Sequence, residues 1–362
     1  MWRFARGFVS ENNFNNFYRG KKVFLTGHTG FKGAWLSLWL NLMGAEVCGF
    51  SLKPENESLF NILEIAAKID RSLFGDICNQ EEIFAALKNF QPEIVIHFAA
   101  QSLVRPSYTS PRNTFETNVM GTLNVFEAAR KAGSVKAFLN ITTDKCYENR
   151  EVDYAYSEDD ALGGYDPYSA SKACAEILTS SYRRSFFTKE KIALASARAG
   201  NVIGGGDFCV DRIVPDIFRA IRVGKKVELR NPKAIRPWQH VLEPLFGYLL
   251  LTKNLYENPD EFAKAYNFGP DEDAQQNVET LTKIFIENFG QGAYEIKEDK
   301  VLHEAGILKL NNSRAKKELN WRPKLSFVEA LSWSASWYKN YLQNPTQAAE
   351  FTIAQIENFA QK

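Results

Sequence analysis

A short apolar run, Val23, Phe24 and Leu25, leads into three glycines spaced three apart, Gly27, Gly30 and Gly33. Beyond them Phe31, Ala34, Trp35, Leu38 and Leu42 recur at the spacing of one helix face. The same change of period then repeats along the chain. Apolar runs at 45–52, 73–76, 93–98, 135–141 and 192–198 predict five further strands. Helical spacing covers 81–90, a long stretch at 111–132, and 167–187, the last with Pro167 at its first position. Strands alternating with helices every ~30 residues predict a doubly wound parallel sheet with right-handed crossovers.

After Ala199 the rhythm breaks. Gly204, Gly205, Gly206 and Asp207 read as a flexible link, and Pro215, Pro232, Pro237, Pro244, Pro259 and Pro270 punctuate shorter elements. The expected organisation is a polar-aromatic extension over 1–20, then a dinucleotide-binding domain over 21–202 with returns near 239–268. A smaller interleaved lobe over 203–238 and 269–345 follows, with a helical tail at 346–362. Helices are expected at 326–341 and 347–359, with Trp333 and Trp337 as core. The extension carries Trp2, Phe4, Phe8, Phe14, Phe17 and Tyr18, so it should pack on the body or at a subunit contact. Such a lobe would close a cleft above the carboxyl ends of the strands, where open α/β sheets bind ligands.

Composition narrows the classes. The 362 residues carry a net charge of +1, which offers no broad footprint for nucleic acid or an anionic membrane. The five cysteines are scattered without a C-x-x-C pair and the histidines number four, so no metal cluster or disulfide framework is expected. No apolar run approaches the ~20 residues of a membrane span. The segment 1–20 lacks the apolar stretch of a signal peptide, and a cytoplasmic protein is expected.

The candidate chemistry lies after the predicted strand ends. The glycine turn, Gly27-His28-Thr29-Gly30-Phe31-Lys32-Gly33, lets the backbone approach a pyrophosphate, and the helix beyond supplies free N–H groups. Thr142, Thr143, Asp144 and Lys145 follow the fifth strand, and Tyr168 and Lys172 stand four apart on one helix face. A tyrosine, with a pKa of ~10 in water, needs its anion stabilised to act as a base, and an ammonium one turn away can do that.

The order T-G-H-T-G-F-K-G, H-F-A-A-Q, T-N-V-M-G-T, T-T-D-K and Y-S-A-S-K resembles the extended short-chain dehydrogenase/reductases, and within them the nucleotide-sugar 4,6-dehydratases. The runs from Arg198 to Asp207 and from Arg236 to Val241 resemble that family's substrate lobe. The resemblance spans 21 to about 340 and implies a Rossmann-type fold, bound NAD and a nucleotide-sugar substrate, CDP-glucose being the nearest match. It also implies a homodimer or homotetramer built on the helices of 111–132 and 167–187.

Carried over residue by residue, the resemblance makes Tyr168 the base for the sugar 4-hydroxyl, Thr143 its hydrogen-bond partner and Lys172 the cation beside it. Asp144 becomes the acid for the departing 6-hydroxyl, protonated and held so by burial. Where many relatives carry glutamate as base for carbon 5, this chain has Lys145, which must be neutral to take a proton or else remain charged and stabilise the enolate. Cofactor contacts are expected from the glycine turn, Asp76, Ile77, Ala99, Ala100, Asn118, Tyr168 and Lys172. The second predicted strand ends without the acid usual for NAD, while His28 and Lys32 would suit a 2′-phosphate; the resemblance favours NAD.

Substrate contacts are expected from Gln101, Ser102, Arg105, Asn201, Arg212 and above all Arg236, with loop hydrogen bonding the alternative for Gln101 and Arg105. A nucleotide-sugar 4-epimerase is the rival reaction, disfavoured by Asp144 and Lys145. A silent dinucleotide sensor would not need Thr143, Tyr168 and Lys172 together.

Overall fold

The computed structural model describes residues 14–297 and 305–362. Seven strands form the main sheet: β1 Lys22–Thr26, β2 Glu46–Ser51, β3 Arg71–Phe74, β4 Ile94–His97, β5 Ala137–Ile141, β6 Ala193–Ala199 and β7 Ala265–Phe268. Their order across the sheet is 3-2-1-4-5-6-7, every pairing parallel. Strand order reverses between β1 and β4, which opens a crevice at their carboxyl ends. Six strands correspond to apolar runs in the sequence. β7 carries Tyr266, Asn267 and Phe268, too short a run to stand out, and it lies in the sheet because it pairs with β6.

The helices that cover this sheet are α1 Phe31–Leu42, α2 Gln80–Phe90, α3 Thr122–Ala132, α4 Pro167–Tyr182 and α5 Leu242–Glu257. α1 packs so tightly on the glycine turn that a Cβ at Gly33 would meet the Gly27 carbonyl oxygen at 2.1 Å. Asp166 caps α4 by accepting from the Ser169 N–H at 3.0 Å, with Pro167 at the first turn, so the run D-P-Y-S sets where Tyr168 sits.

Two expected helices are interrupted. The stretch 111–132 runs as Pro111–Phe115, a π-helical segment Glu116–Gly121, and α3. The stretch 167–187 ends in a second π-helical segment, Arg183–Phe187. In the first, a Cβ at Gly121 would meet Ile77 Cδ1 at 2.6 Å, so the backbone there lies close against the loop after β3.

The run Gly204–Gly206 is not a flexible link. A side chain at Gly205 would collide with the buried Trp337, one at Gly204 with Val241 and Phe31, and one at Gly206 with Leu59. The glycines are there for close packing between the lobe and the first crossover. Trp337 is core, as its spacing implied, while Trp333 is half-buried against His240. Of the aromatic extension, Phe14 and Tyr18 are buried against α5, with Phe14 beside Phe246 and the Tyr18 hydroxyl donating to the Leu249 carbonyl at 2.7 Å. Trp2, Phe4 and Phe8 lie outside the described residues.

Candidate active site

A cavity of about 810 Å³ lies across the carboxyl ends of β1 and β4, walled on the far side by the lobe. One end is built by the glycine turn. Gly27 holds φ +75° and its Cβ position is filled by the backbone of Ala99 at 2.8 Å, so only glycine fits. No side chain caps the N-terminus of α1, which leaves its first N–H groups directed at the cavity. Gly27, Thr29, Gly30, Phe31, Lys32, Gly33, Asp76, Ile77, Ala99 and Ala100 all line it. A glycine cradle, a bare helix N-terminus and the neighbouring Lys32 fit the pyrophosphate of a dinucleotide.

His28 does not belong to this lining. It is fully buried beneath β2, where a Cβ at Gly49 would meet its ring at 2.3 Å, and its Nε2 pairs with Ser72 Oγ at 2.8 Å. Burial pushes its pKa down to about 4, so it is a neutral core residue and offers no charge to a 2′-phosphate. At the end of β2 the cavity meets Ser51 and Leu52, with Ser51 Oγ 2.8 Å from Thr29 Oγ1. Asn118 is likewise buried off the cavity. It accepts from the Gln101 N–H at 2.8 Å and donates to Ser171 of α4, also at 2.8 Å, so it ties the β4 loop to α4.

The middle of the cavity holds the candidate catalytic groups. The β5 strand delivers Thr142 and Thr143, and a single 3₁₀ turn, Asp144–Cys146, presents Asp144 and Lys145. Thr143 donates to Asp144 Oδ1 at 2.9 Å, and Lys145 Nζ stands 3.4 Å from the same oxygen and 3.4 Å from Asn201 Oδ1. Asp144 has no solvent exposure, and its Oδ2 has no hydrogen-bond partner among the described residues. Such an unpartnered buried oxygen, next in the chain to the cavity-lining Thr143 and Lys145, suits a hydrogen bond from a bound molecule.

Tyr168, on α4, faces the same cavity. Burial pushes its pKa up, while the neighbouring Thr143 hydroxyl and the charge of Arg212 pull it down. Lys172 is buried one turn on, its Nζ donating to the Ile141 carbonyl at 3.3 Å, and burial lowers its pKa to about 8. Lys32 falls to about 7, first through burial and then through the charges of Lys172 and Arg212. Lys32, Lys145, Lys172 and Arg212 thus gather cationic charge around one small volume, which suits a ligand carrying phosphates.

Behind the site Arg198 and Glu176 form an ion pair at 2.8 Å, both nearly inaccessible, with Glu176 also accepting from Thr142 and Ser196. Arg198 therefore sits in β6 beneath the cavity and not in the lobe that its motif suggested. The pair holds Thr142 and α4 against the sheet.

On the substrate side Gln101, Ser102, Arg105, Asn201, Arg212 and Arg236 all line the cavity. The Gln101 amide is spent on its own loop, donating to the Leu103 carbonyl and to Thr114, each at 3.0 Å. Arg212 spans the opening, paired with Asp207 at 2.9 Å and donating to Ser102 Oγ at 3.0 Å. Arg236 donates to the carbonyls of Ile235 and Gly306 at 2.9 and 3.3 Å. The sequence reading did not assign Trp238, Leu229 and Val278, apolar residues of the lobe that also line the cavity. Trp238 stood inside a quoted motif, and a tryptophan in a proline-punctuated loop was the available signal.

Residues 24–332 match the GDP-mannose 4,6 dehydratase family. The chain is 46% identical over 335 residues to the CDP-glucose 4,6-dehydratase of Salmonella typhimurium, covering 91% of this chain and 93% of that one. It is 29% identical to the dTDP-glucose 4,6-dehydratase of Streptomyces antibioticus, over 74% of this chain and 75% of the other. Among solved structures, the NAD-bound dTDP-glucose 4,6-dehydratase of Streptomyces venezuelae superposes with a TM-score of 0.76 at 22% identity, covering 89% of this chain and 97% of that one. By sequence and fold the chain belongs to the GDP-mannose 4,6 dehydratase family of nucleotide-sugar dehydratases, within the extended short-chain dehydrogenase/reductases.

Proposed function

We propose that this protein is a hydro-lyase that converts CDP-glucose to CDP-4-keto-6-deoxyglucose with tightly held NAD. The observation that carries the reading is Asp144, a buried carboxyl with one unpartnered oxygen among the described residues, hydrogen-bonded to Thr143, which lines the cavity together with Tyr168. An epimerase needs Tyr168 and Lys172 but no acid for a leaving hydroxyl. Bound NAD would supply the hydride acceptor for carbon 4 and the hydride donor for carbon 6.

The residues of the chain divide the remaining work. Tyr168 takes the proton of the 4-hydroxyl, with Thr143 fixing that hydroxyl and favouring the phenolate. The 4-ketone makes the carbon 5 proton acidic. Lys145, within reach of Asp144 and Asn201, is the group placed to take that proton, and Asp144 is the group placed to give one to the departing 6-hydroxyl. Arg212 and Arg236 face the diphosphate, and Trp238, Leu229 and Val278 offer the apolar wall for the base. NAD over NADP rests on Asp76 near the adenosine end and on the loss of His28 as a cation.

The protein acts as a homodimer in this reading. Met120 and Ile177 are about half exposed on the paired helices of 111–132 and α4, an apolar surface that a second copy would cover. Five free cysteines suit the reducing cytoplasm.

The test is incubation of the purified protein with NAD and, separately, CDP-, dTDP-, UDP- and GDP-linked hexoses, reading the alkaline absorbance of the keto sugar and the loss of water by mass. Turnover confined to CDP-glucose is expected. A mass-neutral sugar change would replace the reading with epimerisation. Lys145→Ala is expected to abolish solvent exchange at carbon 5, and unchanged exchange would remove the lysine from the base role.

A further inference from the structure

In dinucleotide-binding sheets an acid near the end of the second strand accepts a hydrogen bond from the adenosine ribose 2′-hydroxyl of NAD. Here that place is held by Ser51, the last residue of β2. A serine hydroxyl both donates and accepts, so by itself it would suit a 2′-hydroxyl and a 2′-phosphate alike.

Two contacts remove that ambiguity. Ser51 Oγ lies 2.8 Å from Thr29 Oγ1, and Thr29 Oγ1 lies 3.0 Å from the Leu52 carbonyl oxygen. The threonine has one hydroxyl hydrogen, and the carbonyl can only accept. Both contacts are therefore hydrogen bonds in one order alone: Ser51 donates to Thr29, and Thr29 donates to Leu52. The Ser51 oxygen keeps its lone pairs and has no hydrogen left to offer. That is the hydrogen-bonding character of a carboxylate without its charge. Ser51, Thr29 and Leu52 all line the cavity, at the glycine turn.

The surroundings discriminate the same way. The Gly75 N–H donates to the Ser51 carbonyl at 2.9 Å, which sets Asp76 close by, and the Asp76 N–H donates to Glu82 Oε2 at 3.3 Å. Two carboxylates near Ser51 oppose a phosphate. Lys53 is exposed and outside the cavity lining. Lys32 Nζ stands over the Phe98 ring at 5.7 Å, on the β4 side of β1, whereas Ser51 lies on the β2 side.

We propose that Ser51, fixed as an acceptor by Thr29, reads the ribose 2′-hydroxyl of NAD and turns away the 2′-phosphate of NADP. A 2′-hydroxyl brings the hydrogen that this oxygen lacks, while a 2′-phosphate brings acceptor oxygens and negative charge. The proposal rests on the reading of the cavity as a NAD site and names the two side chains that set its choice of dinucleotide.

The test is equilibrium binding by calorimetry on the full chain freed of nucleotide. The probes are NAD, NADP and NAD whose adenosine ribose lacks the 2′-hydroxyl. The wild type should bind NAD about three- to ten-fold more tightly than the deoxy form, the size of one neutral hydrogen bond. Ser51→Ala should bind NAD more weakly by a similar factor and hold NAD and the deoxy form equally. Thr29→Val frees the serine hydrogen to face a phosphate, so the preference for NAD over NADP should fall by about three-fold or more. Thr29→Ser keeps the hydroxyl and should keep the preference. Equal binding of NAD and its deoxy form by the wild type, which needs no variant, overturns the proposal and leaves the NAD site standing. So does a Ser51→Ala variant that still separates the two, or a Thr29→Val variant with the wild-type preference. A wild type that binds no dinucleotide overturns the NAD reading itself.

Discussion

The free carboxylate oxygen of Asp144 lies where a side chain at Gly200 would have to go. A Cβ there would stand 2.8 Å from Oδ2 and 2.7 Å from Cγ of Pro237. Glycine at this position leaves Oδ2 uncovered by a side chain from the R-A-G-N run after β6, which the proposed role of Asp144 as acid requires. Gly200→Ala should displace Asp144 or Pro237. We expect a stability loss of ~1–3 kcal/mol, of the size seen for overpacking, and turnover down by about ten-fold or more. Thermal unfolding and kcat with the cognate nucleotide sugar check the two parts separately.

The buried pair of Arg198 and Glu176 predicts a larger structural effect. Arg198→Met leaves the Glu176 carboxylate in a nearly inaccessible site without its counter-ion. Removing one partner of such a pair costs about 3–5 kcal/mol, far more than the pair contributes against a well-packed apolar replacement. Urea unfolding of the single variant against Arg198→Met with Glu176→Leu should show the double variant to be the more stable.

Three histidines set a pH dependence of stability. His28, His97 and His240 are buried, and burial lowers their pKa values from 6.5 to about 4, about 3 and about 3. The unfolded chain takes up protons at these sites below pH 6.5 while the folded chain does not, so stability is complete above that pH and is lost as pH falls toward 4. At pH 5 each contributes a loss of about 2 kcal/mol relative to neutral pH. Urea midpoints between pH 7 and 5 should fall accordingly, and His240→Asn should flatten the slope by about one proton.

The apolar surface of the two interrupted helices predicts assembly. Ile177→Asp places a charge on an exposed position of α4 and should leave the fold and its unfolding midpoint within about 0.5 kcal/mol of wild type in the monomer. The molar mass by light scattering is expected to fall from dimer to monomer. A dimer that survives both Ile177→Asp and Met120→Asp would place the contact elsewhere.

Much of this protein was legible in the order of its residues. Strand-length apolar runs, helical spacing and the glycine turn prescribe the parallel sheet, because period and turn chemistry are local properties. The D-P-Y-S-A-S-K run likewise specifies a capped helix with Tyr168 and Lys172 on one face. Tertiary structure alone decided the rest. It turned His28, a cation by its place in the glycine turn, into a neutral core residue, because β2 and β3 close over it and water cannot follow. It made Gly204–Gly206 a packed crossing, since the aromatic and aliphatic groups that fill their Cβ positions come from distant segments. It set Asn201, a cavity-lining residue, within 3.4 Å of Lys145 Nζ. It also brought Thr143 and Tyr168, from a strand end and a helix more than twenty residues apart, to one cavity. Sequence spacing names the groups that could carry a proton, but only packing sets which of them touch and which are cut off from solvent.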